Sequence, residues 1–428
     1  IRVISAVVSA IMLASSASAF AKFDAYNDPD GFTLGHYEVE VNQEQRADTE
    51  KLYEQRPKNE RQFENLSRGL VAVPGENGTL VSWRFLGTDS NSLTYNLYCS
   101  GEKLNDEPIT TTNFFHTGAS TNAEYTLKEV ENGEETGVEY TTTAWDKNYI
   151  GFKVTEREGY NIDDGAVADL DGDGEYEILL RRVPSMDVNT RTSYPVIEAY
   201  KTDGTHMWTI DIGPNEINEV DINFLAYDMD GDGKAEVIMR SFEGTTDGKG
   251  NTTGDTNGDG ITDYSKSESN LAIFKDRQYI VSTPEFLSIY DGETGEETDR
   301  TDLKPSKEPL SDWSYRYSDT GRLTKRASHY LFGLAYLDGV TPSVVMVRGA
   351  WDNVRAAAWH IEDGKFKEDW VYNTENKDDV NSIWGACNHN LVTVDVDFDG
   401  KDEILSGPMA IGHDGSEMYA VKAYDNDG

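Results

Sequence analysis

Asp169-Leu170-Asp171-Gly172-Asp173-Gly174-Glu175-Tyr176-Glu177 is one of three near-copies of a single acidic phrase. The others are Asp228-Met229-Asp230-Gly231-Asp232-Gly233-Lys234-Ala235-Glu236 and Asp395-Val396-Asp397-Phe398-Asp399-Gly400-Lys401-Asp402-Glu403. A looser fourth copy carries Asp255, Asn257, Asp259 and Asp263 at the corresponding places. Oxygen side chains at positions 1, 3 and 5 converge when the chain between them turns sharply, which is how a hard cation such as Ca²⁺ is caged. The intervening glycines make that turn without a Cβ penalty. An EF-hand would place its bidentate Glu at position 12, whereas here the acid recurs at position 9. Beyond it the chain runs into Ile178-Leu179-Leu180, Val237-Ile238-Met239 and Ile404-Leu405, which favour strands over helices. The phrases therefore read as Ca²⁺ loops that open strands. A single copy could be an acidic turn; repetition with the same downstream acid favours the metal, in a role that is first of all structural.

Composition sets the frame. The chain has 428 residues, 78 acidic against 38 basic side chains, and a formal net charge of −40. That excess excludes nucleic acid as a partner, because phosphate binding needs a basic face. It also opposes a compact state through self-repulsion, which bound Ca²⁺ would relieve. Arg2, an apolar run from Val3 to Leu13 and small residues up to Ala19 match a secretory signal peptide, assigned to residues 1–21. The run is too short to span a bilayer easily, so the expected product is secreted, with no membrane partner after cleavage and a monomeric state. Cys99 and Cys387 are compatible with a disulfide or with two buried thiols. The chain ends on Asp425-Asn426-Asp427-Gly428, which reads as the start of a further acidic turn and so as an incomplete C-terminus.

Residues 22–64 are polar, with little periodicity, and read as a leader or surface arm. Short strand candidates follow at Gly69–Val73, Leu80–Arg84, Leu93–Tyr98, Glu124–Leu127 and Val138–Ala144, so residues 65–150 predict a small fibronectin-like β-sandwich. From 151 to 428 the unit is a Ca²⁺ loop, two or three strands and an Asp-Gly turn, as at Asp203-Gly204 and Asp363-Gly364. That repeat predicts an all-β, calcium-stabilised β-propeller.

No nucleophile elbow, zinc cluster or phosphate loop is present. His389, in Cys387-Asn388-His389-Asn390, is a lone candidate that reads equally as a structural hydrogen-bonder. Arg348, at the end of an apolar strand, can pair with an anionic ligand or with one of the many carboxylates.

Ordered phrases add a resemblance. Asn65–Val73, Val81–Thr88 and Tyr95–Tyr98, then Ala168–Ile178 and Tyr227–Glu236, are joined by Pro284–Leu287, Ala335–Ser343, Asn388–Leu391, Asp402–Leu405 and Gly412–Gly415. Together they resemble the family-eleven polysaccharide lyases, the rhamnogalacturonan lyases, over residues 62–428. The resemblance implies an eight-bladed propeller with several Ca²⁺ ions. It implies cleavage of rhamnogalacturonan I, an acidic plant cell-wall polysaccharide, by β-elimination between rhamnose and galacturonic acid. His389 would help hold a Ca²⁺ in the cleft, and Asp164 would face the substrate beside it. Departures occur at Asp163, Glu219–Phe224, Thr320–Arg322 and Ala386-Cys387, and no catalytic base is assigned. The competing reading is a non-catalytic propeller that binds pectin or serves as an adhesion module.

Overall fold

The computed structural model describes residues 51–53, 55–57, 60–119, 122–185, 193–216, 223–275, 277–313, 319–349, 353–373 and 389–420. Contacts divide the chain into two units, one holding the segment that ends at Pro57 with Asp397–Asp399, the other everything else. In the first, Tyr53 meets Phe398 edge-on at 5.7 Å between ring centroids, and Arg56 lies 3.7 Å over Tyr53.

The larger unit begins with two antiparallel sheets. One orders β1 (Val71–Gly75), β2 (Gly78–Ser82) and β5 (Asn113–Thr117); the other orders β4 (Glu102–Lys103), β3 (Thr94–Cys99), β6 (Glu124–Glu131) and β7 (Glu134–Thr143). Alternate residues of these strands point inward, and Ala72, Val81, Trp83, Tyr95, Leu97, Tyr125 and Leu127 make one shared core. Cys99 is a free, partly buried thiol, and Cys387 lies outside the described residues.

Four antiparallel four-stranded sheets follow, three of them formed from consecutive strands. The first is β8 (Tyr160–Ala168), β9 (Glu177–Pro184), β10 (Val196–Tyr200) and β11 (His206–Asp211). The second is β12 (Phe224–Tyr227), β13 (Glu236–Phe242), β16 (Glu285–Tyr290) and β17 (Glu297–Asp302), interrupted by a hairpin of β14 (Leu271–Phe274) and β15 (Arg277–Ile280). The third is β18 (Tyr330–Ala335), β19 (Ser343–Arg348), β20 (Arg355–Glu362) and β21 (Lys365–Asn373); the fourth is β22 (Val392–Val394), β23 (Glu403–Ser406), β24 (Met409–Ile411) and β25 (Glu417–Ala420). One helix, α1 (Thr320–Ser328), leads into the third sheet, capped by the Asp319 carboxylate on the Arg322 N–H.

The central strands are buried on both faces because each sheet is covered by the next. In β13, Val237 and Met239 join Leu179, Ile197 and Ala199 of the first sheet. Ile238, between them, points the other way, toward Val344 and Met346 of the third. In β19, Val345 and Val347 then turn to Ile404, Met409 and Ile411 of the fourth. A period of two thus sends successive residues into successive cores. Each fully buried Val, Ile or Met contributes about 1.5–3 kcal/mol.

A second repeat is invisible in the sequence. In all four sheets the pairing of third and fourth strands slips by one residue, at Ala199/Tyr200, Ile289/Tyr290, Ala358/Trp359 and Ala410/Ile411. Such bulges sharpen the local twist and bend the outer strand.

Candidate functional site

All three full acidic loops occupy one topological place, the connection from first to second strand in the first, second and fourth sheets. The position-9 acids Glu177, Glu236 and Glu403 are the first residues of β9, β13 and β23. In the first loop Asp169 accepts N–H groups from Gly172 at 2.8 Å, Asp173 at 3.1 Å and Gly174 at 2.8 Å, which fold the turn around its carboxylate. Glu177 accepts the Leu170 N–H at 2.9 Å, and the Lys201 ammonium touches Asp171. Asp169, Asp171 and Glu177 bring one oxygen each within 4.8 Å of the others. Asp171 Oδ1 is buried there without a hydrogen-bond partner. A buried carboxylate oxygen left in that condition is costly, and a cation would satisfy it.

The second loop repeats the arrangement. Asp228 accepts from Gly231 at 2.7 Å and Gly233 at 3.0 Å, Glu236 accepts from Met229 at 2.9 Å, and Asp228, Asp230 and Glu236 converge. Asp173 and Asp232 cap their own turns, on the N–H groups of Glu175 and Lys234. Burial, reinforced by Asp171 and Asp173, pushes Glu177 up to about 7. Burial, reinforced by Asp230, Asp232 and Asp228, pushes Glu236 up to about 8. These are carboxylates whose charges oppose one another, and a divalent cation removes that opposition. The last loop keeps the same hydrogen bonds, Gly400 N–H to Asp395 at 3.1 Å and Val396 N–H to Glu403 at 2.9 Å, while the Asp397 carboxylate accepts the Asp399 N–H at 3.2 Å.

The looser loop differs. It lies in the insertion after β13, and Asp255 accepts from Gly258 and Gly260 as a position-1 acid should. Asp263, however, caps a short 3₁₀ turn on Ser265 and pairs with Lys266 at 2.8 Å. Asn257 and Asp259 share the Tyr264 hydroxyl. Among the described residues this loop offers no converging trio like the first two.

The end of the expected leader has a defined place. Residues 61–67 cross the same connections. Arg61 makes two hydrogen bonds to Asp402, at 2.8 and 3.2 Å, and Gln62 donates to the Asp228 carbonyl at 3.1 Å and to Val340 O at 2.9 Å. Ser67 N–H reaches Gly174 O at 2.8 Å. Burial, then the charges of Asp228 and Asp169, lift Glu64 to about 7. Composition read this stretch as a leader or a surface arm; its partners, in loops more than 100 residues away, are set by the tertiary structure.

The remaining candidates are spread over different strands. His389, three residues before β22, faces His329, the residue just before β18, with ring centroids 5.0 Å apart and planes at 72°. His329 had not been singled out as a ligand; its signal is its place immediately before a first strand. Asp164 is exposed on β8, where neighbouring Asp163 takes the Arg181 Nε–H at 2.9 Å. Arg348 is elsewhere. It is fully buried, 3.0 Å from Glu285, which Lys307 and Arg240 also approach, at 3.6 and 3.3 Å. A substrate cannot reach that guanidinium, so of the two partners the sequence allowed Arg348, an anionic ligand or a carboxylate of the chain, the structure has the carboxylate, and Arg348 does not serve as a substrate-binding residue here.

Comparison with known proteins agrees with these features. Residues 151–428 match the family model "Rhamnogalacturonan lyase family 11, C-terminal domain", and 61–145 match "Rhamnogalacturonan I lyases beta-sheet domain". The chain is 38% identical over 376 residues to the rhamnogalacturonan endolyase YesW of Bacillus subtilis strain 168, covering 84% of this chain and 57% of that protein. It is 37% identical over 378 residues to the exolyase YesX of the same organism, covering 84% and 58%. The crystal structure of exotype YesX superposes with a TM-score of 0.73 at 36% identity, over 85% of this chain and 59% of that one. The chain thus spans a little over half the length of these relatives. On the matched segments, the ordered phrases and the shared fold, the chain belongs to rhamnogalacturonan lyase family 11.

Proposed function

We propose that the full-length protein is a secreted lyase that cleaves the rhamnose–galacturonic acid backbone of rhamnogalacturonan I by β-elimination. The observation that carries this reading is the match of both family segments, together spanning 61–145 and 151–428, to relatives named as lyases of that polymer. We read the four sheets as blades of a β-propeller, eight in the complete protein, since face-to-face packing and the shared bulge repeat radially in that fold. Ca²⁺ is assigned to the trio Asp169, Asp171 and Glu177, to Asp228, Asp230 and Glu236, and to the loop of Asp395, Asp397, Asp399 and Glu403. Residues 1–21 support secretion, and among the described residues no helix is long and apolar enough to cross a membrane.

The chemistry asks for charge control. The C5 proton of a uronate is weakly acidic, and a cation held beside the substrate carboxylate supplies the electrostatic stabilisation of the carbanionic charge. His329 and His389 would hold that ion, their rings already face to edge at the strand ends. Asp164 stands exposed on β8, the first strand of the first sheet, with Arg181 3.8 Å away to orient it.

The test incubates the full-length protein with rhamnogalacturonan I and, separately, homogalacturonan, with Ca²⁺ or a chelator, following the ultraviolet absorbance of the unsaturated uronate. Calcium-dependent absorbance on rhamnogalacturonan I alone is expected. A folded, calcium-loaded protein that produces none overturns the reading and leaves the binding module.

A further inference from the structure

The loops that open β9 and β13 share one wiring. The acid at position 1 accepts the N–H groups of both glycines, and the acid at position 5 accepts the N–H two residues on. The Glu at position 9 accepts the N–H of position 2 with one oxygen, which leaves its other oxygen for a cation.

The looser loop reproduces this wiring with a different acid. Asp255 accepts from Gly258 at 2.7 Å and Gly260 at 2.8 Å, and Asp259 accepts the Ile261 N–H at 2.8 Å. Position 2 is Thr256, whose N–H meets Oε1 of Glu243 at 2.7 Å, and whose hydroxyl donates to the same oxygen. Glu243 directly follows β13, 13 residues before the Thr it holds. It stands toward this loop as Glu177 and Glu236 stand toward theirs. Asp263, the acid at position 9, turns to Ser265 and Lys266.

The observation that points to a ligand is the second oxygen of Glu243. The residue is 0% exposed, and its Oε2 is buried without a hydrogen-bond partner. With Oε1 fixed on Thr256, that oxygen is held against the loop, in the condition of Asp171 Oδ1 in the first one. Leaving it unmet is costly, and a cation would meet it. The loop has no trio of acids because its third position is an amide, Asn257, whose Oδ1 accepts the Asp259 N–H at 2.9 Å as Asp230 accepts that of Asp232. An amide oxygen keeps a second lone pair and is an ordinary Ca²⁺ ligand.

We propose that Glu243, Asp255, Asn257 and Asp259 form a further site for a hard divalent cation, Ca²⁺, with the ninth-position acid supplied from the end of β13 instead of by Asp263. Glu236 opens β13 and Glu243 follows it, so one strand carries a metal carboxylate at each end, about 23 Å apart. Three carboxylates and an amide, in place of four carboxylates, give this site a weaker affinity than the full loops. The ion has a structural task. Asn215 already gathers the ends of the insertion, donating to Glu243 O at 2.7 Å and Thr262 O at 2.9 Å and accepting the Tyr264 N–H at 2.8 Å. A cation between Glu243 and the loop fastens the middle of that insertion to β13.

The probe is Ca²⁺ itself, titrated by calorimetry into the chelator-treated full-length protein, with bound metal counted by elemental analysis after gel filtration. E243Q keeps an oxygen for the Thr256 N–H, and D259N changes an exposed side chain. Each is expected to lose one Ca²⁺ per molecule, or to bind it at least about tenfold more weakly. D263N is expected to keep the wild-type count. In chelator both E243Q and D259N should unfold like the wild type, and in Ca²⁺ they should show a smaller gain in thermal stability. Wild-type count and affinity in E243Q overturn the site, and loss of the ion in D263N returns the ninth place to Asp263. Should E243Q fail to fold, D259N decides by the same count. A wild type that binds no Ca²⁺ overturns this site together with the other three. None of these readouts needs lyase activity, so a protein that cleaves nothing still answers the test.

Discussion

Replacing Glu285 by Gln tests the charge cluster between the second and third sheets. Glu285 is flanked by Arg348 at 3.0 Å, Arg240 at 3.3 Å and Lys307 at 3.6 Å. Burial alone would raise its pKa; Arg348, Lys307 and Arg240 overcome that and hold it at about 2, against an ordinary 4.5. At about 1.4 kcal/mol per pH unit, the drop corresponds to about 3 kcal/mol in favour of the folded state. A depressed carboxylate contributes fully above its unfolded value and loses the contribution as pH falls toward the folded one. Glu285→Gln is therefore expected to lower the unfolding free energy by about 3 kcal/mol at pH 7, and by less at pH 3, where part of the unfolded-state advantage is gone. It also leaves Arg240, Lys307 and Arg348 facing Glu216 as the other carboxylate described in the cluster. Adding Arg348→Met should recover part of the loss, because removing both partners of a buried pair costs less than removing one. The assay is urea unfolding in Ca²⁺ at both pH values. A loss under about 1 kcal/mol at pH 7, or one that does not shrink on acidification, refutes the reasoning.

Other consequences follow from the same geometry. Gly292→Ala would place a Cβ 2.0 Å from Ala235 O and 3.0 Å from Leu170 O, in a turn whose carbonyl accepts the Trp208 indole at 2.7 Å. A loss of about 2–3 kcal/mol is expected in chemical unfolding. Glu177 and Glu236, raised to about 7 and 8, still bind protons at neutral pH in the metal-free protein. Ca²⁺ binding should then release protons, with affinity rising from pH 6 until about pH 8 and levelling above it. Calorimetry in buffers of different ionisation enthalpy reads that release, and buffer-independent heats at pH 7 would contradict it. Arg61→Ala removes two hydrogen bonds to Asp402 and should cost about 1–2 kcal/mol, seen as faster proteolysis of the 61–67 segment.

Much of the site was legible because it is local. An Asp-x-Asp-x-Asp-Gly loop closes on itself through its own backbone N–H groups, as Asp169 and Asp228 do, so spacing suffices to find it. The same reasoning failed where the decisive partner is distant. Arg348 looked available at a strand end, and Glu285 of the preceding sheet claims it. His329 was passed over because nothing in the phrase before it points to His389, 60 residues on.

The sequence by itself determined the strands, the turns and the three loops that open β9, β13 and β23, since period-two apolarity and oxygen spacing act over a few residues. Only the tertiary structure decided which side chains meet: residues 61–67 across the loops, the two histidines at adjacent strand ends, the buried cluster at Glu285. Those encounters depend on how neighbouring sheets stack, and that stacking is set by shape-fitting between Val237, Ile238, Val344 and Val345 and their partners. Packing of that kind is a property of surfaces brought together from distant parts of the chain, and no local pattern encodes it.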